Sequence, residues 1–294
     1  MRNQSIYEMI EDQVISQLVN GIIPWKRCYH IRGCDCAISH QTKEPYSFLN
    51  QMLLMVPGEY WTFNQAVKLG LNVRKGAKAK KIFFWKVMTA EKDKDLIEAG
   101  VSDEARKKIQ IPILKYYNVF HESDIEGLPD KPLDAMDEEK NKESIIGADS
   151  IINNYLEANK DIKLVESDRI PCFSPLTNTI HIPMKCQFDS IEEYYSTAFH
   201  EMTHSTAKKL GRDINALQNS HANYAREELV AEIGSAYLCG AAGISEESVI
   251  NNNASYCAGW LLALRNNIKD LVWASSRAEK ASKFILGEQN ELST

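Results

Sequence analysis

His200-Glu201-Met202-Thr203-His204 places two imidazoles and a carboxylate within little more than one helical turn. An α-helix repeats about every 3.6 residues, so side chains at i and i+4 share a face and both histidines can reach one cation. Glu201 lies beside them and off the ligand axis, where a hydrolytic site needs a base to take a proton from the attacking water. Two solvated histidines on a surface helix would match the same five letters, so the flanking sequence has to separate the readings.

Upstream, Ser190-Ile191-Glu192-Glu193 has capping-box spacing, and Tyr194, Tyr195, Ala198, Phe199 and Met202 follow at helical intervals. Gly211 supplies a C-terminal stop, which predicts a helix over 191–210. A tetrahedral hydrolytic zinc takes a third protein ligand and keeps an open position. A second helical stretch, 224–237, offers acids for it: Glu228 and Glu232 share a face with Tyr224, Ala231 and Ser235, while Leu229, Ile233 and Tyr237 point into a core. The small residues allow close approach to the first helix. Glu228 is therefore expected as the third zinc ligand, with Glu227 its rival. Glu232 is expected to accept a histidine N–H and fix that ring's tautomer, and Tyr224 to donate to an oxyanion. A Glu-rich helix face that is simply solvated is the competing interpretation. His181, in the apolar stretch Thr179-Ile180-His181-Ile182-Pro183, lies on an expected strand, either lining a substrate edge or as an ordinary strand histidine.

With 294 residues, 44% hydrophobic and 25% charged, the chain is large enough to bury two cores. Seven cysteines at irregular spacings do not form a disulfide framework, which favours a cytoplasmic location. Acids within the first twelve residues break any signal-peptide apolar run, and no stretch of about 18 apolar residues spans a membrane.

Charge divides the chain. Residues 1–127 carry 18 Lys and Arg against 15 Asp and Glu, whereas the remainder carries 16 against 25. Between the halves, residues 128–144 are proline-punctuated and charge-dense, as a linker is. This divides the chain into domains at 1–127 and 145–294. From Trp61 to Ala90 there are seven basic residues, among them Arg74, Lys75, Lys78, Lys80 and Lys81, and no acid. Trp61 and Trp85 stand among them. Cations that track phosphates, interleaved with rings on which bases stack, suit single-stranded nucleic acid. A core strand with lysines on its wet face is the alternative. Helices are expected over Ile6–Leu18 and Thr62–Leu69, paired strands over Lys81–Met88 and Ile113–Phe120, and a helical excursion over Ala90–Lys108. Cys28, His30, Cys34, Cys36 and His40 invite a second zinc reading, but their spacings match no paired zinc pattern and favour a reduced polar loop.

These residues carry a resemblance. Gly21-Ile-Ile-Pro24-Trp25, Pro45-Tyr46, Asn50, Trp61-Thr-Phe-Asn-Gln-Ala66, Val73-Arg-Lys-Gly76, Ile82-Phe-Phe-Trp85-Lys86 and Glu126-Gly127-Leu128 resemble the N-terminal domain of ArdC-type antirestriction proteins. Phe199-His-Glu-Met-Thr-His204 and Tyr224-Ala-Arg-Glu-Glu-Leu-Val-Ala-Glu232 resemble the metallopeptidase domain that accompanies it. Ser47-Phe48 departs from the small residue and glycine usual after the tyrosine, and the cysteine-rich stretch is foreign to the pattern. The resemblance implies a two-domain α+β chain, a small α+β domain that binds single-stranded DNA followed by a mostly helical zincin-like domain. It adds Trp25 and Tyr46 to the expected DNA contacts, and Zn2+ as cofactor. It further implies an antirestriction protein of a mobile element, or alternatively a metalloprotease that cuts a host defence or regulatory protein and uses the DNA-binding domain for localisation.

Overall fold

The computed structural model describes residues 5–26, 36–89, 97–98, 100–128, 140–167, 170–214, 221–244, 254–265 and 267–288. The tract Cys28–Cys34 and most of the expected linker, 129–139, lie outside them.

The N-terminal half opens with helix α1 (Ile6–Val19), whose Ser5 and Glu8 form a reciprocal capping box and whose chain leaves through Gly21 at φ 73°. Strand β1 (Ala37–Ser39) leads into helix α2 (Phe48–Leu54), then strand β2 (Gly58–Trp61) and helix α3 (Phe63–Lys68), capped by Thr62. Strand β3 (Asn72–Val73) pairs with a later short strand, β6 (Ile125–Glu126). The long strands β4 (Lys80–Thr89) and β5 (Gln110–His121), expected as pairing strands, pair antiparallel over their length. Helix α4 (Asp103–Lys108) lies between them. The sheet order is β1-β2-β5-β4, leaving β4 at the edge. Asn50 covers part of that edge: its side chain accepts the Phe83 N–H and donates to the Phe83 carbonyl, both at 2.7 Å. Phe83 thus faces outward with its backbone groups. Its pairing with Tyr116 is therefore of the non-hydrogen-bonded type, as is Val87 with Pro112 two steps on. Pro112 occupies the position in the ladder where its missing N–H costs that pair nothing.

The second half begins with helix α5 (Lys140–Ala158), so residues 140–144 of the expected linker are helical. Lys and Glu are good helix formers, and a charge-dense stretch without proline continues a helix as readily as it extends a linker. A sheet of order β7-β9-β8 follows, from β7 (Lys163–Glu166), β8 (Cys172–Ser174) and β9 (Thr179–Ile182), with β8 at an edge. Four helices follow among the described residues: α6 (Ile191–Ser205), α7 (His221–Ala242), α8 (Ala254–Arg265) and α9 (Ile268–Ile285). Ser190 caps α6 by accepting the Glu193 N–H. The helix ends at Ser205, short of 210, because the hydroxyls of Ser205 and Thr206 and the Arg212 guanidinium bond to the carbonyls of Met202 and Thr203.

The two halves share apolar packing. Ile10, Val14 and Leu18 of α1, with Trp25 and Phe48, Met52 and Leu53 of α2, join one buried cluster with Leu229, Val230 and Ile233 of α7 and Leu271, Val272 and Ala278 of α9. A second cluster gathers α5, β9 and α6 around Leu238, Cys239 and Ala242, the C-terminal part of α7. Helix α7 therefore belongs to both. No helix among the described residues is long and apolar enough to cross a membrane.

Candidate metal centre and basic sheet face

Helices α6 and α7 pack closely because small residues line their seam. Gly234 is the tightest point: a Cβ there would lie 2.7 Å from Thr203 Oγ1 and 2.8 Å from its Cγ2. Ser235 Oγ donates to the Ser196 carbonyl at 2.6 Å. This approach brings the acids of α7 over the histidines of α6.

His200 Nε2 and His204 Nε2 lie 3.1 Å apart. Glu228 faces both, at 3.4 Å from His200 Nε2 and 3.6 Å from His204 Nε2. A tetrahedral cation with bonds of about 2.1 Å spaces its ligand atoms by about 3.4 Å. The three groups thus have the separation and the donor chemistry of such a site, and they form the one cluster of this kind among the described residues. Burial alone would raise the Glu228 carboxyl pKa, but the His200 hydrogen bond, the charge of both histidines and the Tyr224 hydroxyl hold it below the usual range. For His200, burial opposes the imidazolium, yet Glu228, Glu232 and Glu201 together raise its pKa.

The remaining ring nitrogens point outward to carboxylates. Glu232 lies 3.9 Å from His200 Nδ1. Glu227, rival to Glu228 in the sequence, instead turns away from the histidine Nε2 atoms: it lies 3.3 Å from His204 Nδ1 and 3.1 Å from Arg212 Nη2. Glu227 is 2% exposed, and Arg212 also donates to the Thr203 carbonyl at 2.7 Å. This support was missed in the sequence, since nothing local ties a residue beyond the helix end to a carboxylate fifteen positions later.

Glu201 is buried, and burial pushes its carboxyl pKa up against the pull of both imidazoles and the backbone hydrogen bond of Phe173. That contact joins Glu201 to β8, the sheet edge. His181 sits on β9, opposite Cys172 of β8, with Nδ1 buried and without a hydrogen-bond partner among the described residues. Tyr224 is 55% exposed, with its hydroxyl bonded to Glu228.

The expected DNA contacts separate into two groups. Trp25, fully buried, packs edge-on against Trp260 at 5.2 Å, and Trp61, 3% exposed, is stacked on His40. Neither offers a free face to a base, which corrects their assignment: Trp25 belongs to the buried cluster around α1 and Trp61 to a smaller one with Ala66 and Ile125, where a large apolar ring is more stable than in water. Tyr46 is half-buried against the cluster around Tyr60 and Ile82. Trp85, Arg74, Lys75, Lys78 and Lys80 are exposed, and Lys81 is half-buried. The β4–β5 register adds residues from the second strand. Lys80, Phe84 and Lys86 share a face with Lys115 and Tyr117, and the Phe84 and Tyr117 rings stack at 4.8 Å and 9°. Tyr117 is 55% exposed, and its side of the sheet depends on a pairing that no local pattern specifies.

Comparison with known proteins meets both halves. Residues 4–120 match the N-terminal domain of anti-restriction factor ArdC, and residues 152–277 match a zincin-like metallopeptidase family. A DNA primase TraC of Escherichia coli is 31% identical over 304 residues, covering 97% of this chain and 27% of that protein. A second TraC of the same organism is 29% identical, covering 97% and 20%. The chain spans about a quarter of the length of these curated relatives. The crystal structure of the antirestriction ArdC protein from plasmid R388, free of metal, superposes with TM-score 0.68 at 26% identity, covering 97% of this chain and 98% of that one. Its Mn(II)-bound form gives 0.65, with coverage of 98% and 100%. The two family matches in this order, joined by a solved relative that follows the chain from end to end, make this an ArdC-type protein with a zincin-like C-terminal domain.

Proposed function

We propose that the chain is an antirestriction protein that binds single-stranded DNA on the β4–β5 face and hydrolyses peptide bonds at the α6–α7 site. The observation that carries the hydrolytic reading is the convergence of His200, His204 and Glu228 beside a buried Glu201. Two imidazoles and a carboxylate suit zinc, while the Mn(II)-bound relative marks manganese as an ion to test alongside it. When bound, the ion supplies Lewis-acid polarisation of a scissile carbonyl. Glu227 holds the His204 ring through its Nδ1, while Glu232, 3.9 Å from His200 Nδ1, acts on that ring by its charge. Glu201 takes a proton from the attacking water and delivers it to the leaving amine, a role suited to a carboxyl whose pKa burial has raised. Tyr224, whose hydroxyl bonds to Glu228, donates to the oxyanion in this reading, and β8 offers an edge along which an extended substrate lies.

In the N-terminal half, Lys75, Lys78, Lys80, Lys86 and Lys115 contact phosphates, Tyr117 stacks on a base on their face of the sheet, and the exposed Trp85 stacks on one on the opposite face.

Glu201→Gln separates the two activities. Protein carrying it is expected to keep its metal and its oligonucleotide affinity. If peptide hydrolysis is what defeats restriction, protection of incoming DNA in cells fails with this variant; if shielding of the strand suffices, protection persists. Loss of neither metal nor protection from His200→Ala/His204→Ala would overturn the site. Each phosphate-contacting lysine changed to Ala should lower the salt slope of single-strand binding by about 0.7.

A further inference from the structure

Where the two halves meet, the free edge of β4 runs beside α9 and leaves a cavity of about 330 Å³. Tyr46, Phe83 and Trp85 line it from the N-terminal half, the last two on one face of β4, and Ser276 and Glu279 from α9. Three rings beside a single carboxylate form an unusual lining for a seam between apolar helices. The carboxylate is fixed in place: Glu279 Oε1 accepts from Lys283 Nζ at 3.1 Å and Oε2 from the Phe48 N–H at 3.4 Å. Each oxygen keeps acceptor capacity beyond these bonds. Among the other polar side chains of the lining, Asn50 is committed to Phe83 through both its oxygen and its nitrogen and Ser275 Oγ donates to the Leu271 carbonyl, and Glu279 is the one carboxylate. Glu279 is therefore the acceptor that would read an incoming ligand. The strand that carries Trp85 holds Lys80, Lys81 and Lys86 and no acid.

We infer that this seam cavity receives one base of the bound single strand, and that it selects guanine. The inference rests on the single-strand reading given above. Lys80 and Lys86 lie on one face of β4 and Trp85, 54% exposed, on the other, so a strand that crosses the edge of β4 passes the cavity and meets in Trp85 a face for a base turned out of the stack. Among the four bases guanine alone presents two adjacent donors, N1–H and N2–H, side by side on its pairing edge, and two parallel bonds to one carboxylate are both stronger and more selective than one. Cytosine and adenine set a single amino group beside a ring acceptor. Thymine sets its one N–H between two carbonyl oxygens, which a carboxylate repels.

The test uses the full chain and a short oligothymidylate, alone or with one central deoxyguanosine, deoxyinosine or deoxycytidine, with affinity read by fluorescence anisotropy. The guanine oligomer is expected to bind about tenfold more tightly than oligothymidylate, as a hydrogen bond to a charged group warrants. Inosine, which lacks the 2-amino group, should fall between. Glu279→Gln should remove the ranking while leaving the salt slope intact. Because Glu279 also anchors Phe48, a second variant, Ser276→Trp, closes the mouth from an exposed helix position and should remove the ranking too. Equal affinity for all four oligomers, with the slope still reduced by Lys80→Ala, would overturn the cavity while leaving strand binding in place. Failure of every oligomer to bind at low salt would overturn the strand reading, and this inference with it.

Discussion

Glu227 lies between two cation-forming partners and answers to both. Its carboxylate orients His204 and is the ion-pair partner of Arg212, whose guanidinium is 6% exposed. Removing one member of a buried pair strands the other, so Glu227→Ala should destabilise the fold by about 3–5 kcal/mol. The same change frees the His204 ring and should weaken metal binding about 10- to 100-fold. Thermal melts with and without metal, together with a metal titration, check both effects. Unchanged metal affinity would mean that the Arg212 pair alone explains this carboxylate. The contrast with Glu228 marks the limit of reading single residues. The spacing of His200 and His204 is local, so a helix suffices to bring them together, and the acids of α7 were recognisable as a group. Which of two neighbouring glutamates faces the histidines depends on the rotation of α7 about its axis, and that is set by packing against α6. The tryptophans tell the same story from the other side. Trp61 and Trp85 have similar neighbours in sequence, but one is enclosed and the other open.

Among elements, the α6–α7 seam decides whether the centre assembles at all. Gly234 has ordinary helical geometry, so it is there for space rather than for backbone freedom. Gly234→Ala would gain about 1 kcal/mol of helix propensity. Its Cβ would meet two atoms of Thr203, whose hydroxyl is held by the Phe199 carbonyl at 2.8 Å. Overpacking of this kind costs about 1–3 kcal/mol. The expected net result is a lower melting temperature and a weaker metal site, with both recovered in Gly234→Ala/Thr203→Ala. Non-recovery in the double variant would place the strain elsewhere. The strands β4 and β5 were legible because alternation marks each one, and their ends fell within a few residues of expectation. The composite face of Phe84, Tyr117, Lys80, Lys86 and Lys115 was not, because it exists only once the register is set.

At the scale of the molecule, the division at 127 separates families of sequence more cleanly than it separates cores. Helix α1 packs its buried Ile10, Val14 and Leu18 with α8 and α9, and its amphipathic pattern announces a partner without saying which. The sequence alone suggests that residues 1–127 stand by themselves; the packing opposes it. Expressed alone, they would expose the faces of α1 and α2 that the second half covers, and should aggregate or bind an apolar dye unless residues 140–294 are supplied in trans. A monomeric, cooperatively melting 1–127 fragment would refute this. The membership of α7 in both clusters has a further consequence for how such a chain is inherited. Modules joined by a string are exchanged freely when genes recombine, each carrying its own surface. Here a new N-terminal half would have to match the apolar side of α7 that it inherits, while the other side of that helix is committed to the metal. Divergence in either half is thus constrained by the other, and the pair is expected to be inherited as a single unit of descent.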